Sequence, residues 1–289
     1  MVGLALPAFT DSHVHLGLID PGALVPRGIG RVLDLGWDPQ VATTWRGAHP
    51  ELQIDIAGPL LAAPGGYPLT SSWAPAAAAR EIPDAGAASS AIADLVRLGA
   101  RVAKITLNSE EGPVWDDELL AGVVALAHGS GLPVVAHAQG TGQAERALVA
   151  GVDALAHTPW TETLGDDLVR RMAGAMTWIS TLDIHGWGAY GADFSRAVGN
   201  LERFAAFGGT VRYGTDLGNG PLPVGLNRRE LLALDGAGLT VPAIVESLTG
   251  YLRPDPALTT VSVIPDATAI SDLALDDLLH ATITTREPA

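Results

Sequence analysis

The fold is decided by the stretch Leu132-Pro-Val-Val-Ala-His137, the following segment Thr141–Ala150, and Val152-Asp-Ala-Leu-Ala-His157. Two short apolar, β-rich runs flank a segment with helical periodicity, which predicts a strand–helix–strand unit. Both runs are apolar on both faces, as parallel strands buried on two sides are. A connection of this length suits a right-handed crossover between parallel strands.

The same alternation continues along the chain and predicts an α/β fold. The predicted strands are Ala8–Leu16, Arg31–Gly36, Gln53–Leu61, Arg101–Leu107, Pro133–His137, Ala154–His157, Thr177–Leu182 and Thr210–Thr215. Helices are predicted at Ser89–Leu98, Asp116–Gly129, Thr141–Ala150, Thr161–Met172, Asp193–Phe207, Gly225–Asp235 and Val241–Tyr251. Eight such units indicate a (β/α)8 TIM barrel, and an open doubly wound sheet is the alternative. We expect the barrel over residues 1–250 and a C-terminal extension, residues 251–289, packed on it.

Composition excludes several classes of partner. The chain has 289 residues and a formal net charge of −15, and it contains no compensating basic run, which argues against binding to nucleic acid. No apolar run approaches the length of a membrane span, and the N-terminus does not resemble a secretory signal. Without cysteine, disulfides and thiolate zinc sites are excluded. A small-molecule substrate and a cytoplasmic location are expected.

Two histidines lie on the first predicted strand, at His13 and His15. Since side chains alternate along a strand, both imidazoles project from one face. Neutral imidazoles are good ligands for a borderline divalent metal such as zinc. His-x-His is a common pair, so the motif alone does not establish a metal site.

Lys104 is the one lysine among 17 basic residues, and it lies inside a predicted strand. Its ammonium could reach water past the strand end. Alternatively, burial could lower its pKa, and a neutral amine can take up carbon dioxide to become an anionic ligand that bridges two metals.

Three further ligand types recur where predicted strands end, namely His137, His157 and Asp216. A single histidine at a strand end is more often a hydrogen-bonded structural residue. The joint recurrence favours a site, because the active sites of barrels are built at the carboxyl ends of their strands.

The order His13-x-His15, Lys104, His137, His157 and Gly214-Thr-Asp216 resembles the metal signature of the amidohydrolase superfamily. It is most similar to the branch with imidazolonepropionase-like enzymes and Xaa-Pro dipeptidases. The resemblance implies an enzyme with two divalent metal ions, for which zinc is expected. His13, His15 and Asp216 would hold the first ion, His137 and His157 the second, and a carbamate on Lys104 would bridge them.

The resemblance also implies a reaction: hydrolysis of an amide, cyclic amide or ester. A metal-bridging hydroxide would attack the substrate carbonyl, with Asp216 as general base and then general acid. A mononuclear deaminase is the nearest alternative, but Gly140 stands where such enzymes have a glutamate three residues after the histidine of the fifth strand. A non-catalytic barrel used for binding is a further alternative.

Members of this branch usually carry a small β-sandwich beside the barrel. Here His13 comes too early for its first segment, and Ala269–Asp277 resembles a remnant of the second. We therefore expect the sandwich to be absent or incomplete. Assembly into a homo-oligomer is left open.

Substrate contacts are predicted from residues that follow strands. His185 could hydrogen-bond a substrate carbonyl, although a structural role in its loop is an equal alternative. An aromatic wall for an apolar substrate is predicted from Trp37, Trp73, Trp115, Trp160 and Trp187.

Overall fold

Parallel strands alternate with helices through most of the chain. The structure, a computed structural model, describes residues 3–252 and 260–285. Its strands are β1 Gly3–Pro7, β2 Thr10–Val14, β3 Arg31–Asp34, β4 Gln53–Ile56, β5 Leu60–Ala62, β6 Ala79–Glu81, β7 Ala103–Asn108, β8 Val134–Gln139, β9 Ala154–Leu155, β10 Thr177–Ile179, β11 Thr210–Arg212, β12 Thr260–Pro265 and β13 Thr282–Thr285. Its α-helices are α1 Pro39–Ala48, α2 Ala85–Leu98, α3 Asp117–Gly129, α4 Gln143–Val149, α5 Asp166–Ala173, α6 Ala192–Ala206, α7 Arg228–Gly236 and α8 Val241–Thr249.

Two parallel sheets form the body of the fold. One has seven strands in the order β11-β10-β9-β8-β7-β5-β6, and the other has three in the order β2-β3-β4. Backbone hydrogen bonds join the two sheets on both sides, from Ser12 N to Tyr213 O (2.9 Å) and from Arg101 N to Ile56 O (2.8 Å). The arrangement is consistent with a TIM-barrel-like fold.

The early part of the chain differs from the prediction in several places, which include the unpredicted strand β6. The strand predicted over Gln53–Leu61 is two strands, β4 and β5, because Gly58 adopts a left-handed φ of 78° and Pro59 offers no N–H to a sheet. Helix α1, which was not predicted, follows β3. It begins at the N-cap Asp38, whose carboxylate accepts the N–H of Gln40, and it buries Ala42 and Trp45.

An antiparallel sheet of three strands flanks the parallel ones. Strand β1 pairs with β12 from Gly3–Pro265 to Pro7–Val261, and β12 pairs with β13. The expectation that the chain starts too late for a first flanking segment is therefore wrong, because five residues suffice for a strand once a distant partner supplies the ladder. Residues 253–259 and 286–289 of the predicted extension lie outside the described residues.

The strand interior holds a small apolar layer beneath the site. Leu33, Val102, Val135, Ala154 and Ile179 belong to this cluster. By strand alternation, Val102 shares a face with Lys104, and Val135 shares one with His137. The predicted ligands therefore lie above a layer of buried apolar side chains, which lowers the local dielectric constant around any charge.

Within residues 3–252 and 260–285, no helix is long and apolar enough to cross a membrane.

Candidate metal centre

His13 and His15 reach the site from the end of β2, and each ring is fixed by a backbone carbonyl. His13 Nδ1 lies 2.8 Å from Ala156 O, and His15 Nδ1 lies 3.0 Å from Gly36 O. A carbonyl oxygen only accepts hydrogen bonds, so both Nδ1 atoms donate. In the neutral imidazole, Nε2 then carries a lone pair that points into the site.

His137, on β8, is oriented by a side-chain amide. Its Nε2 lies 3.1 Å from Gln139 Oε1, which also accepts from Asn108 Nδ2 at 2.9 Å. Gln139 Nε2 donates in turn to Glu110 Oε2 at 3.0 Å, and this fixes the direction of the amide. His137 therefore donates through Nε2 and keeps its Nδ1 lone pair for another partner.

His157 follows β9 and packs between the other rings. Its Nδ1 lies 2.9 Å from the hydroxyl of Thr181. Its ring centroid is 4.7 Å from that of His13 and 4.9 Å from that of His137. Burial is the main reason that the pKa of His157 lies well below its usual value, so the ring is a neutral ligand at pH 7.

Asp216 is the carboxylate at the centre of these rings. Its Oδ1 lies 3.1 Å from His13 Nε2 and 3.2 Å from His15 Nε2, and Asn219 Nδ2 donates to the same carboxylate at 3.1 Å. Burial raises its pKa, but the neighbouring His13 and His15 outweigh burial and hold the pKa well below the usual range. A carboxylate oxygen that faces two imidazole lone pairs needs a cation between them, either a proton or a metal ion.

Lys104 is buried in the same place. It is the second residue of β7, whereas His13 and His137 lie in the second half of β2 and β8, and His137 is two residues before the end of its strand and not at the predicted end. Only 1% of it is exposed, and Nζ has no hydrogen-bond partner among the described residues. Burial lowers its pKa to about 7, against an opposing effect of Asp216. A buried amine without a protein partner is compatible with a bound ligand or a covalent modification at this position.

The donor set fits a divalent metal. Ligand atoms of His13, His157 and Asp216 lie within 4.8 Å of one another. His15, Lys104 and His137 line the same cavity, so the structure brings the six predicted ligands together. Imidazole nitrogen and carboxylate oxygen are ligands that zinc and its neighbours accept.

The cavity above these ligands has a volume of about 380 Å³ and is largely aromatic. Tyr67, Trp73, Trp160 and Trp187 line it. Two of the predicted tryptophans do not. Trp37 packs behind Trp73, at 6.5 Å between ring centroids, and the buried Trp115 donates its Nε1–H to Ile82 O at 2.8 Å. The predicted wall is corrected accordingly: both side chains are used for packing under the loops.

Proteins similar to this chain are found among solved structures. No protein-family model and no curated protein matches the chain. A Xaa-Pro dipeptidase with methionine bound in its active site matches with a TM-score of 0.74 at 18% identity, over 96% of this chain and 84% of that one. A structure described as an amidohydrolase matches with a TM-score of 0.72 at 20% identity, over 98% of this chain and 87% of that one. The A. niger ochratoxinase matches with a TM-score of 0.73 at 16% identity, over 97% of this chain and 82% of that one.

The chain shares the fold of these three structures. In this fold the two carboxylates Asp11 and Asp34 shape the backbone around the ligands. Asp11 accepts the N–H groups of His13 (3.1 Å) and Thr215 (3.0 Å), and Asp34 accepts that of Leu16 (2.8 Å). Burial raises the pKa of Asp11 to about 7 and that of Asp34 to about 6.

His185 is carried by a loop that helix α7 holds in place. Both oxygens of the buried Glu230 accept backbone N–H groups, from Leu182 (3.0 Å) and Asp183 (2.7 Å). Arg229 Nε donates to Asp183 at 2.9 Å. The ring of His185 lies against that of Trp160, with 5.0 Å between the ring centroids. Its buried Nε2 has no hydrogen-bond partner among the described residues. Mainly because of burial, its pKa is lowered to about 4, so the ring is neutral at pH 7.

Sequence reasoning missed three lining residues that contact the predicted ligands. Tyr67 stacks on His137 with ring centroids 5.0 Å apart, Asn219 donates to Asp216, and Gln139 orients His137. Gln139 and Asn219 have a signal in the sequence, since each comes two or three residues after a predicted ligand. Tyr67 lies in an irregular loop, where no periodicity indicates a direction.

Proposed function

We propose that this chain is a metal-dependent hydrolase that cleaves an amide, cyclic amide or ester bond. The observation that carries the proposal is the orientation of the histidines. His13, His15 and His137 each donate one ring N–H to a fixed acceptor and are left with a lone pair for a cation. We further propose that the backbone contacts between the two parallel sheets close a (β/α)8 barrel.

Two divalent ions fit the ligand set, and zinc is the metal expected from its nitrogen and oxygen donors. His13, His15 and Asp216 would hold one ion, and His137 and His157 the other. Lys104 would bridge them as a carbamate. The neutral amine attacks carbon dioxide, a C–N bond forms, and one proton leaves, so the product carries one negative charge. Burial without a partner favours that neutral amine.

Bound in this way, the ions would lower the pKa of a shared water and polarise the substrate carbonyl. Asp216 would take the proton from that water and return it to the leaving nitrogen or oxygen. Asn219 holds the carboxylate in position for both transfers. The neutral His185 can donate a hydrogen bond to the substrate, and the aromatic side chains would bind its apolar part.

The comparisons support the class of reaction. The neighbours named above are a dipeptidase, an amidohydrolase and an ochratoxinase, all hydrolases of one superfamily, and the chain spans more than four fifths of each. The alternative function, a deaminase, lacks this support, because Gly140 offers no carboxylate for proton transfer after His137.

The Lys104→Ala variant tests the proposal. We expect loss of hydrolysis across a set of aryl acetates and acetanilides, together with loss of about one metal ion per chain. Acetate should restore part of both, because it fits the space and the charge of the carbamate. Lys104→Met is the matched control: it also lacks the amine but fills the space, so acetate should not restore it. A fully active Lys104→Ala protein would contradict the bridging role.

A further inference from the structure

Positive charge is scarce around the proposed substrate cavity. Among the described residues that line it, Lys104 is the single lysine or arginine, and the proposed function assigns it to the metals. The rest of the lining consists of aromatic rings, imidazoles, two aliphatic side chains, one glycine, two amides and the carboxylate of Asp216. A substrate carboxylate would therefore find no free cationic side chain in the described lining to replace its hydration.

The arginines that approach the cavity loops are already paired. A Cβ added at Gly188 would lie 3.4 Å from Arg229 Cδ, which places this arginine against the loop of Trp187. Its Nη2, however, lies 2.9 Å from the buried Asp183. Arg196 donates to the carbonyl of Trp160 and lies 2.8 Å from Asp193. Both positive charges are balanced before a substrate arrives.

Two exposed carboxylates, Glu110 and Glu111, lie at the edge of the cavity. Glu110 accepts from Gln139, a lining residue, at 3.0 Å. Glu111 accepts from Asn108 Nδ2 at 3.2 Å and lies close enough to the lining Tyr67 to act on it electrostatically. These two carboxylates add negative charge at this side of the cavity, in a chain with a net charge of −15.

We propose that the cavity selects amides or esters that carry an aromatic group and no carboxylate. This inference rests on the proposed hydrolase function and adds its substrate class. The aromatic group would pack against Trp73, Trp160 and Tyr67, where stacked and edge contacts add to burial of area. The Glu110 and Glu111 carboxylates would repel an anion and would not disfavour a neutral molecule.

The test uses matched compounds that differ in charge alone at the far end of the ring. They are 4-acetoxybenzamide and 4-acetoxybenzoate, with 4-acetamidobenzamide and 4-acetamidobenzoate as the amide pair. With the metal-loaded protein at low salt, we expect kcat/KM to be at least about tenfold higher for the neutral member of each pair. Equal values, or a preference for the carboxylate, would overturn the proposal.

A charge variant separates local repulsion from other causes. Glu111→Gln keeps an acceptor for Asn108. It should lower, about twofold, the ratio of kcat/KM for the neutral compound to kcat/KM for the carboxylate, and added salt should weaken this effect. Glu202→Gln, on the outer helix α6, removes the same charge and should leave the ratio unchanged. An equal effect of both variants would contradict a role for the cavity edge.

Binding distinguishes failure of this inference from failure of the proposed function. Quenching of tryptophan fluorescence by the two amides reports their Kd values whether or not they are cleaved. Tighter binding of 4-acetamidobenzamide without any hydrolysis would sustain the charge selection and count against the hydrolase. Binding of the neutral amide that is no tighter than that of 4-acetamidobenzoate would overturn the charge selection.

Discussion

The two ends of the parallel strands each bury charged side chains, and they do so in opposite ways. Near the amino ends, Arg31 on β3 pairs with Asp55 on β4, and its guanidinium lies 3.7 Å from the centroid of the Tyr251 ring. At the other end, one carboxylate, Asp216, faces His13 and His15, with the amine of Lys104 buried nearby. The first cluster pairs opposite charges, whereas the second gathers imidazole nitrogens around one carboxylate.

This difference separates a structural cluster from a reactive one. Arg31 and Asp55 form an ion pair that Arg101 also approaches, at 3.8 Å from Asp55. Arg31 Nη1 has no hydrogen-bond partner among the described residues, but its guanidinium lies over the Tyr251 ring. In the other cluster, His13 Nε2 and Lys104 Nζ have no hydrogen-bond partner among the described residues. These two atoms differ from other unpartnered ones in lying beside a shared carboxylate, Asp216, and this arrangement fits the proposed metal site. Three predictions would break or sharpen the contrast.

The largest effect is expected from Asp216→Asn at the reactive end. The amide keeps one oxygen for a metal but cannot take a proton, so turnover should fall by about 10²- to 10⁴-fold. Metal content should stay close to that of the parent protein. Steady-state kinetics with the most rapidly cleaved aryl acetate, together with elemental analysis, checks both statements. Rapid turnover by the variant would contradict the proton-transfer role.

Asp55→Ala should have the converse result at the structural end. Removing this partner leaves the guanidinium of Arg31 buried and uncompensated, so the free energy of unfolding should fall by about 3–5 kcal/mol. Activity per folded molecule should change little. The control is Asp167→Ala, which breaks the exposed pair with Arg170 and should cost less than about 1 kcal/mol. Urea denaturation measures both, and equal costs would remove the distinction between the two pairs.

The smallest effect concerns pH. The pKa of Lys104 is lowered to about 7, and its neutral form, which reacts with carbon dioxide, gains population as pH rises through that value. From pH 6 to pH 8 the neutral fraction grows about tenfold. Reactivation of metal-free protein with zinc, at constant dissolved carbon dioxide, should accelerate by the same factor. A rate that is flat or falls over this range would argue against carboxylation.

The candidate ligands could be predicted from sequence because each lies in a strand or within four residues of the end of one. His13, His137 and His157 follow from the two-residue period of a strand and from the point at which each apolar run ends. Lys104 is indicated by its rarity; it lies inside a strand, as His13 and His137 do, but nearer to the amino end of that strand.

The rest depends on contacts that no local pattern encodes. Strand β1 exists because it pairs with β12, more than 250 residues away, and Phe9 N donates to Ser262 at a separation of 253 residues. Tyr67 reaches His137 from an irregular loop, and Trp115 turns away from the cavity to satisfy its indole N–H at Ile82. These directions are set by packing and by hydrogen-bond satisfaction in three dimensions.

The most direct test of the account is the metal content of protein purified without chelators, measured by elemental analysis per chain. We predict about two equivalents of divalent metal, as a bridged pair held by these ligands requires. About one equivalent would contradict the bridged pair, and no metal, even after zinc and bicarbonate are supplied, would contradict the metal-dependent hydrolase altogether.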